Sequence, residues 1–181
     1  MKYWLISDTH FGHDSIIKYC NRPNNFEDKI LNNLKIINKG DILIHLGDFC
    51  IGNDKNWHDI FFERLPVNVK KILIIGNHDR KSNSWYLKNG WDFICNSFSS
   101  KLLGTEIIFS HIPKLTDKVN IHGHYHNNLP RLLKKEFISD IEKERNKNEF
   151  NLSNYDKNIH KLVSIEDNNY FPVTLNFFLK K

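Results

Sequence analysis

The chain of 181 residues contains no alanine and no glutamine. Beside abundant Asn, Lys and Ile, that absence reads as genome composition and carries no function. Cysteine is scarce: Cys20, Cys50 and Cys95 are odd in number and widely spaced. A disulfide scaffold is therefore excluded, and a reducing cytoplasm is the expected setting. No apolar run approaches the ~18 residues needed to span a bilayer. The opening stretch, residues 1–7, is too short for a signal-peptide core, and Asp8 follows at once. No membrane partner is expected. The excess of positive charge is small, 26 Lys and Arg against 21 Asp and Glu, which permits an acidic partner without demanding one. Neither a basic stripe nor a row of stacking aromatics at nucleic-acid spacing is present. With 40% hydrophobic and 26% charged residues, the chain reads as one soluble globular domain, 1–181, long enough to bury a real core.

What the sequence does have is ten histidines, and their positions matter. Short apolar runs at residues 2–7, 42–46, 72–75, 106–110 and 119–122 read as buried strands, followed by late runs at 159–165 and 173–178. Helical spacing marks 27–38, with Ile30, Leu34 and Ile37 on one face, and 54–64, with Trp57, Phe61 and Leu65. Alternating strands and helices indicate an α/β sandwich.

Each of the first five strands ends in metal-ligand residue types. Asp8 and His10 follow the first, Gly47-Asp48 the second, Gly76-Asn77-His78-Asp79 the third, His111 the fourth, and Gly123-His124-Tyr125-His126 the fifth. Carboxyl ends of strands are where open α/β sheets bind ligands, and glycines let the chain turn there. Asp8 with His10, and His124 with His126, stand two apart. In an extended chain such residues point to one side and aim two groups at one small volume. Hard oxygen from Asp8, Asp48 and Asn77 with imidazole from His10, His111, His124 and His126 suits Mn²⁺, Fe, Zn²⁺, Ni²⁺ or Co²⁺ rather than Ca²⁺. No cysteine sits in these motifs, so a thiolate zinc site is not indicated.

The ordered set D-x-H, G-D, G-N-H-D, H, G-H-x-H over residues 7–126 resembles the calcineurin-like metallophosphoesterase superfamily. SDTHFGH (7–13), YCNRP (19–23) and YFPVTL (170–175) resemble its small single-domain bacterial and phage branch. The resemblance implies a four-layer α-β-β-α sandwich with two mixed β-sheets. It implies two divalent transition-metal ions, with Mn first in line. One would be held by Asp8, His10 and His126, the other by Asn77, His111 and His124, with Asp48 bridging. It also implies hydrolysis of phosphate esters, diesters foremost, by a hydroxide shared between the ions. His78 would protonate the leaving oxygen and Asp79 would orient it. The chemistry is sensible in its own right, because two cations can neutralise phosphate oxygens and support in-line attack, and histidine titrates in the range a leaving group requires.

Other residues carry less. His13, on the loop that leaves the first ligand pair, and Arg80, beside Asp79, are candidates to contact substrate phosphate. His45 and His122 lie inside strands and read as core or supporting histidines, and His58 and His160 as structural or solvated ones. Residues 127–158 separate G-H-x-H from the late strands, a departure from compact members of the branch. Leu133, Phe137 and Ile141 predict an amphipathic helix over 131–147. The near balance of charge over residues 131–149, six basic and five acidic, argues against a nucleic-acid arm and for a lid, an oligomer contact or a decorated surface. The resemblance implies a phosphate-ester substrate, with a nucleotide or nucleic acid as the alternative and a nuclease or cyclic-nucleotide phosphodiesterase as the corresponding activity. A scaffold that had lost catalysis would show broken ligands, and none is broken here.

Overall fold

The computed structural model describes residues 1–134 and 150–179. Its strands are β1 (Tyr3–Ile6), β2 (Ile42–His45), β3 (Lys70–Ile74), β4 (Phe93–Cys95), β5 (Ser97–Leu102), β6 (Thr105–Ser110), β7 (Val119–His122), β8 (His160–Leu162) and β9 (Val173–Thr174). Its helices are α1 (Asp14–Tyr19), α2 (Phe26–Asn33), α3 (Asp54–Glu63), α4 (Asn83–Lys88), α5 (Leu129–Leu133) and α6 (Leu175–Leu179).

Two mixed sheets result, as expected for the α/β class. The first runs β4-β3-β2-β1-β9, parallel except where β9 meets β1; the second runs β5-β6-β7-β8, with only β5 antiparallel to its neighbour. Alternation along the strands decides what packs where. Leu5, Ile44 and Ile74 face Ile107, Phe109 and Ile121, which closes the sheets on each other. Trp4, Ile6, Leu43 and Leu73 point the opposite way, onto Ile16 of α1, Ile30 and Leu31 of α2, Phe61 of α3 and Tyr86 of α4. On the outer side of the second sheet, Tyr155 lies against the rings of His122 and His160, and Phe150 against that of His160.

Some expectations are corrected. The run 173–178 is a two-residue strand and then helix α6. Leu175, Phe178 and Leu179, spaced i, i+3, i+4, turn back onto the core between the sheets. The face predicted for 27–38 is continued beyond α2 by a 3₁₀ turn, Leu34–Ile36. Strands β4 and β5 escape the apolar reading because both are partly exposed, and β5 alternates exposed Ser97, Ser99 and Lys101 with half-buried Phe98, Ser100 and Leu102. Of the helix expected over 131–147, residues 131–133 belong to α5, and residues 135–147, with Phe137 and Ile141, lie outside the described residues.

The fold brings the carboxyl ends of β1, β2 and β3 in one sheet, and β6 and β7 in the other, to one rim. Pairing of β1 with β2 continues past both strands: Asp8 N donates to Gly47 O, His10 N to Asp48 O and Phe11 N to Phe49 O, each at 3.0 Å. Gly123 N donates to His111 O at 3.0 Å and fastens the two loops of the second sheet in the same way.

Candidate metal centre

Five of the seven expected ligands hold left-handed backbone: Asp8 (φ 55°), His10 (50°), Asp48 (56°), His124 (78°) and His126 (49°). Such residues cost about 1–3 kcal/mol each and persist where packing over-determines them, as at functional sites. This corrects the reason given for the paired motifs. Their side chains do not converge because the chain is extended; each loop curls. The two pairs also behave differently. Asp8 and His10 stay together with His126, whereas His124 joins Asp48 and His111. In each trio one ligand atom per residue lies within 4.8 Å of the others.

The glycines act mainly by letting loops touch. Gly47 has φ 102°, and a Cβ there would lie 2.6 Å from His111 Nδ1. Gly76 and Gly123 have no left-handed backbone. A Cβ on Gly76 would strike Asp48, and one on Gly123 would strike Ser7 and Asp8. The turn-making role expected of these glycines therefore belongs to Gly47, and close approach to the other two.

Proton positions follow from the hydrogen bonds. His111 Nδ1 can only donate to Leu46 O, at 2.8 Å, which leaves Nε2 as a lone pair facing Asp48 Oδ2 at 3.4 Å and Asn77 Oδ1 at 2.9 Å. His126 Nδ1 donates to Glu166 Oε1 at 3.0 Å, so its Nε2 lone pair faces Asp8 Oδ1 at 3.8 Å. His10 Nε2 is buried without a hydrogen-bond partner, 3.5 Å from the same Asp48 Oδ2. Acceptors thus face acceptors around two points, an arrangement that needs positive charge between them. Protons can supply part of it. Burial lowers His111, but the Asp48 carboxylate outweighs burial and pushes it up to about 9. His10 faces that same carboxylate, yet burial, reinforced by His126 and Arg22, pushes it down to about 2. Burial likewise lowers His126, but Asp8, Cys20 and Glu166 outweigh it and raise it well above its ordinary value, so the protons facing Asp48 and Asp8 stand where a cation would replace them. The nitrogen and oxygen donors fit a divalent transition ion. Asp48 Oδ2, within 3.5 Å of His10 on one side and His111 on the other, stands between the two trios.

Behind the ligands lies a supporting layer that the sequence only partly disclosed. Glu166 accepts from His126 and, through the same Oε1, from Arg22 Nε at 2.9 Å and Nη2 at 2.6 Å. Arg22 also donates to the carbonyls of Asp8 and Thr9. Burial raises Glu166, but His126 and Arg22 outweigh it and hold the carboxyl down at about 2. Cys20 also approaches His126 and Glu166, with Arg22 already supplying the cation. Arg22 sits inside the YCNRP motif, residues 19–23; nothing in the sequence singles out Glu166. His45 is a supporting residue as expected: Nδ1 accepts from Gly47 N, and Nε2 donates to Thr9 Oγ1, whose own proton goes to Phe49 O. His122 donates from Nδ1 to Gly123 O. His58 and His160 are buried, not solvated.

The remaining candidates line the rim. The His78 ring lies 5.2 Å from that of His10, and its backbone N donates to Asp48 Oδ1 at 2.8 Å. His13 meets His10 through Nδ1 atoms 3.3 Å apart and faces the His78 ring at 6.1 Å. Arg80 is exposed at the edge. Asp79 departs from the role expected of it. Its carboxylate accepts backbone N–H groups from Asp48, Phe49 and Gly76, at 2.8, 2.9 and 2.8 Å. It therefore clamps the β2 and β3 loops together and positions His78 through the chain rather than by holding its ring. Burial and the Asp48 charge raise its carboxyl to about 6.

The calcineurin-like phosphoesterase family model matches residues 1–172. Uncharacterized protein MJ1445 of Methanocaldococcus jannaschii is 34% identical, over 99% of this chain and 90% of its own. The crystal structure of a protein of unknown function from Aquifex aeolicus, AQ665, superposes with a TM-score of 0.67 at 28% identity, covering 97% of this chain and 96% of that one.

Proposed function

Because the chain belongs to the calcineurin-like phosphoesterase family, metal-dependent enzymes that hydrolyse phosphate esters, we propose that it cleaves phosphodiesters with two divalent transition ions, manganese foremost. The observation that carries this reading is the facing of acceptor on acceptor in two trios, with Asp48 Oδ2 shared between them. Asp8, His10 and His126 would hold one ion. Asn77, His111 and His124 would hold the other, with Asp48 contributing to both. When bound, such a pair neutralises phosphate oxygens and makes a nucleophile available at neutral pH.

The chain's own residues supply the rest. His111 and His126 donate Nδ1–H to Leu46 O and Glu166, which turns Nε2 of each ring towards the position an ion would take. His78, part-exposed on the rim and tied by its backbone to Asp48, delivers a proton to the departing oxygen. His13 contacts the substrate's phosphate from the edge, and Arg80, beside Asp79, grips a phosphate of the substrate bidentately. All seven ligands and His78 are intact, which supports an active enzyme over a scaffold. The test crosses Mn²⁺, Ni²⁺, Zn²⁺ and Mg²⁺ with an aryl phosphomonoester, an aryl phosphodiester and cyclic nucleotides. Hydrolysis of the aryl diester with Mn²⁺ or a similar ion, abolished by a chelator, is expected. Inactivity with every ion and ester would overturn the reading.

A further inference from the structure

A cavity of about 360 Å³ opens beside His78. One wall is the 50–52 loop with Asp54, and the other is His78, Arg80 and Lys81. None of the seven candidate ligands lines it. The cavity therefore adjoins the metal centre only through the residue assigned to protonate the departing oxygen. In an in-line displacement the leaving group departs opposite the nucleophile, and the general acid stands on the leaving side. Whatever fills this space is then attached to the leaving oxygen, not to the phosphoryl group held by the metals.

The walls indicate its chemistry. Arg80 is exposed and forms no ion pair among the described residues. Lys81 meets Asp54 at 3.7 Å and lies over the Trp85 ring at 5.8 Å, with 43% of its side chain exposed. Asp54 opens α3, a ten-residue helix whose positive end lies on this wall. Two mobile-headed cations against one carboxylate, with an arginine fork free to grip two oxygens, suit a phosphate. Gly52 leaves the far wall open, since nothing lies within 4 Å of where its Cβ would be. No Phe, Tyr or Trp lines the space, so it lacks the platform on which a base would stack.

We infer that this cavity is a leaving-group subsite, in which Arg80 and Lys81 select diesters whose departing alcohol carries a phosphate of its own. The inference rests on the phosphodiesterase reading above. It adds Lys81 to the specificity residues, and it makes the enzyme indifferent to base identity at that position.

The experiment compares three dithymidylates, TpT, pTpT and TpTp, with Mn²⁺ present and an aryl phosphodiester as control. The two terminal phosphates place the extra charge on the alcohol that leaves from O3′ or from O5′. One of the phosphorylated dinucleotides should be cut about tenfold better than TpT in kcat/KM, the scale of one charge-assisted contact. That ratio should shrink towards one in R80A/K81A, fall further in R80E, and decline with rising salt. Replacing thymine by adenine on the departing nucleoside should leave it unchanged. Because the ratio is measured within each variant, a change in active fraction cancels. Equal rates on all three, a preference that survives in R80A/K81A, or no cleavage of either phosphorylated dinucleotide by protein that cuts the aryl diester overturns the subsite alone. Failure on every diester with every ion overturns the phosphodiesterase reading with it.

Discussion

His78, unlike His10, His111, His124 and His126, belongs to neither trio: its ring faces His10 and His13 at the rim, and its backbone N donates to Asp48. His78→Ala should therefore retain metal while kcat falls by about 10²–10⁴-fold, the usual size of general-acid catalysis. The loss should shrink for esters with acidic leaving groups, because such an oxygen departs without a proton. Equal losses across a leaving-group series, measured by steady-state kinetics, would assign His78 to binding instead. Glu166 illustrates a different kind of residue, one that acts through a neighbour. Its carboxylate fixes which nitrogen of His126 carries the proton and, with Arg22, ties the β1 loop to the segment after β8. Glu166→Gln should weaken metal affinity about 10–100-fold, the range seen when such partners are removed. Calorimetric titration with Mn²⁺ tests this, and unchanged affinity would sink the role.

Among the elements, the loops rather than the strands carry the strain. The β1, β2 and β7 loops curl through left-handed aspartates and histidines, and they fit together because neighbouring residues press directly on the backbone at Gly47, Gly76 and Gly123. Gly123 makes the sharpest test, since it needs no unusual φ yet has no room for a methyl group. In Gly123→Ala the new Cβ would press on Ser7 Oγ and on Asp8 Oδ2, both fully buried. Overpacking of this kind costs about 1–3 kcal/mol, and the side chain displaced would be a candidate ligand. Thermal melting and Mn²⁺ titration should both register the change. A variant of lower melting temperature that still binds metal with full affinity would show that the β1 and β7 loops yield elsewhere.

At the scale of the whole molecule, the two sheets and their helices close around two apolar cores, one between the sheets and one beneath the helices. Asp41 anchors the first sheet to that arrangement. Its buried carboxylate accepts from Lys2 N at 2.7 Å, Trp4 Nε1 at 2.8 Å and Asn38 N at 3.1 Å. Burial opposes its ionisation, but these three donors outweigh burial and hold the carboxyl below its ordinary value of 3.8. A carboxyl whose pKa is depressed by folding stabilises the fold fully above the unfolded value, and that stability is lost as pH falls through the lower folded value. Asp41 thus holds its contribution at neutral pH and yields it only below about pH 4. Asp41→Asn should cost about 1.5–3 kcal/mol near pH 7, because an amide N–H₂ must then face a donor. The difference from the parent should narrow in strong acid. Urea unfolding at pH 7 and pH 3 checks both statements, and a gap that does not depend on pH would show that the charge of Asp41 is immaterial.

The sequence by itself determined the class of fold and marked the five strand ends whose Asp, Asn and His residues were expected to bind metal. These features are written in local signals: apolar runs of strand length, and Asp, Asn and His in short ordered motifs beside glycine. It also indicated the supporting roles of His45 and His122, since both precede motif residues within a strand. It did not reveal β4, β5 or the helical end of the chain, because half-exposed strands and a one-turn change of period leave weak patterns. Nor did it reveal that Asp79 grips backbone instead of a ring, or that Glu166 stands behind His126. Those facts depend on residues far apart in the chain, which only the meeting of two sheets at one rim brings together. Local periodicity fixes where a side chain leaves its own element; the group it meets is set by how distant elements pack.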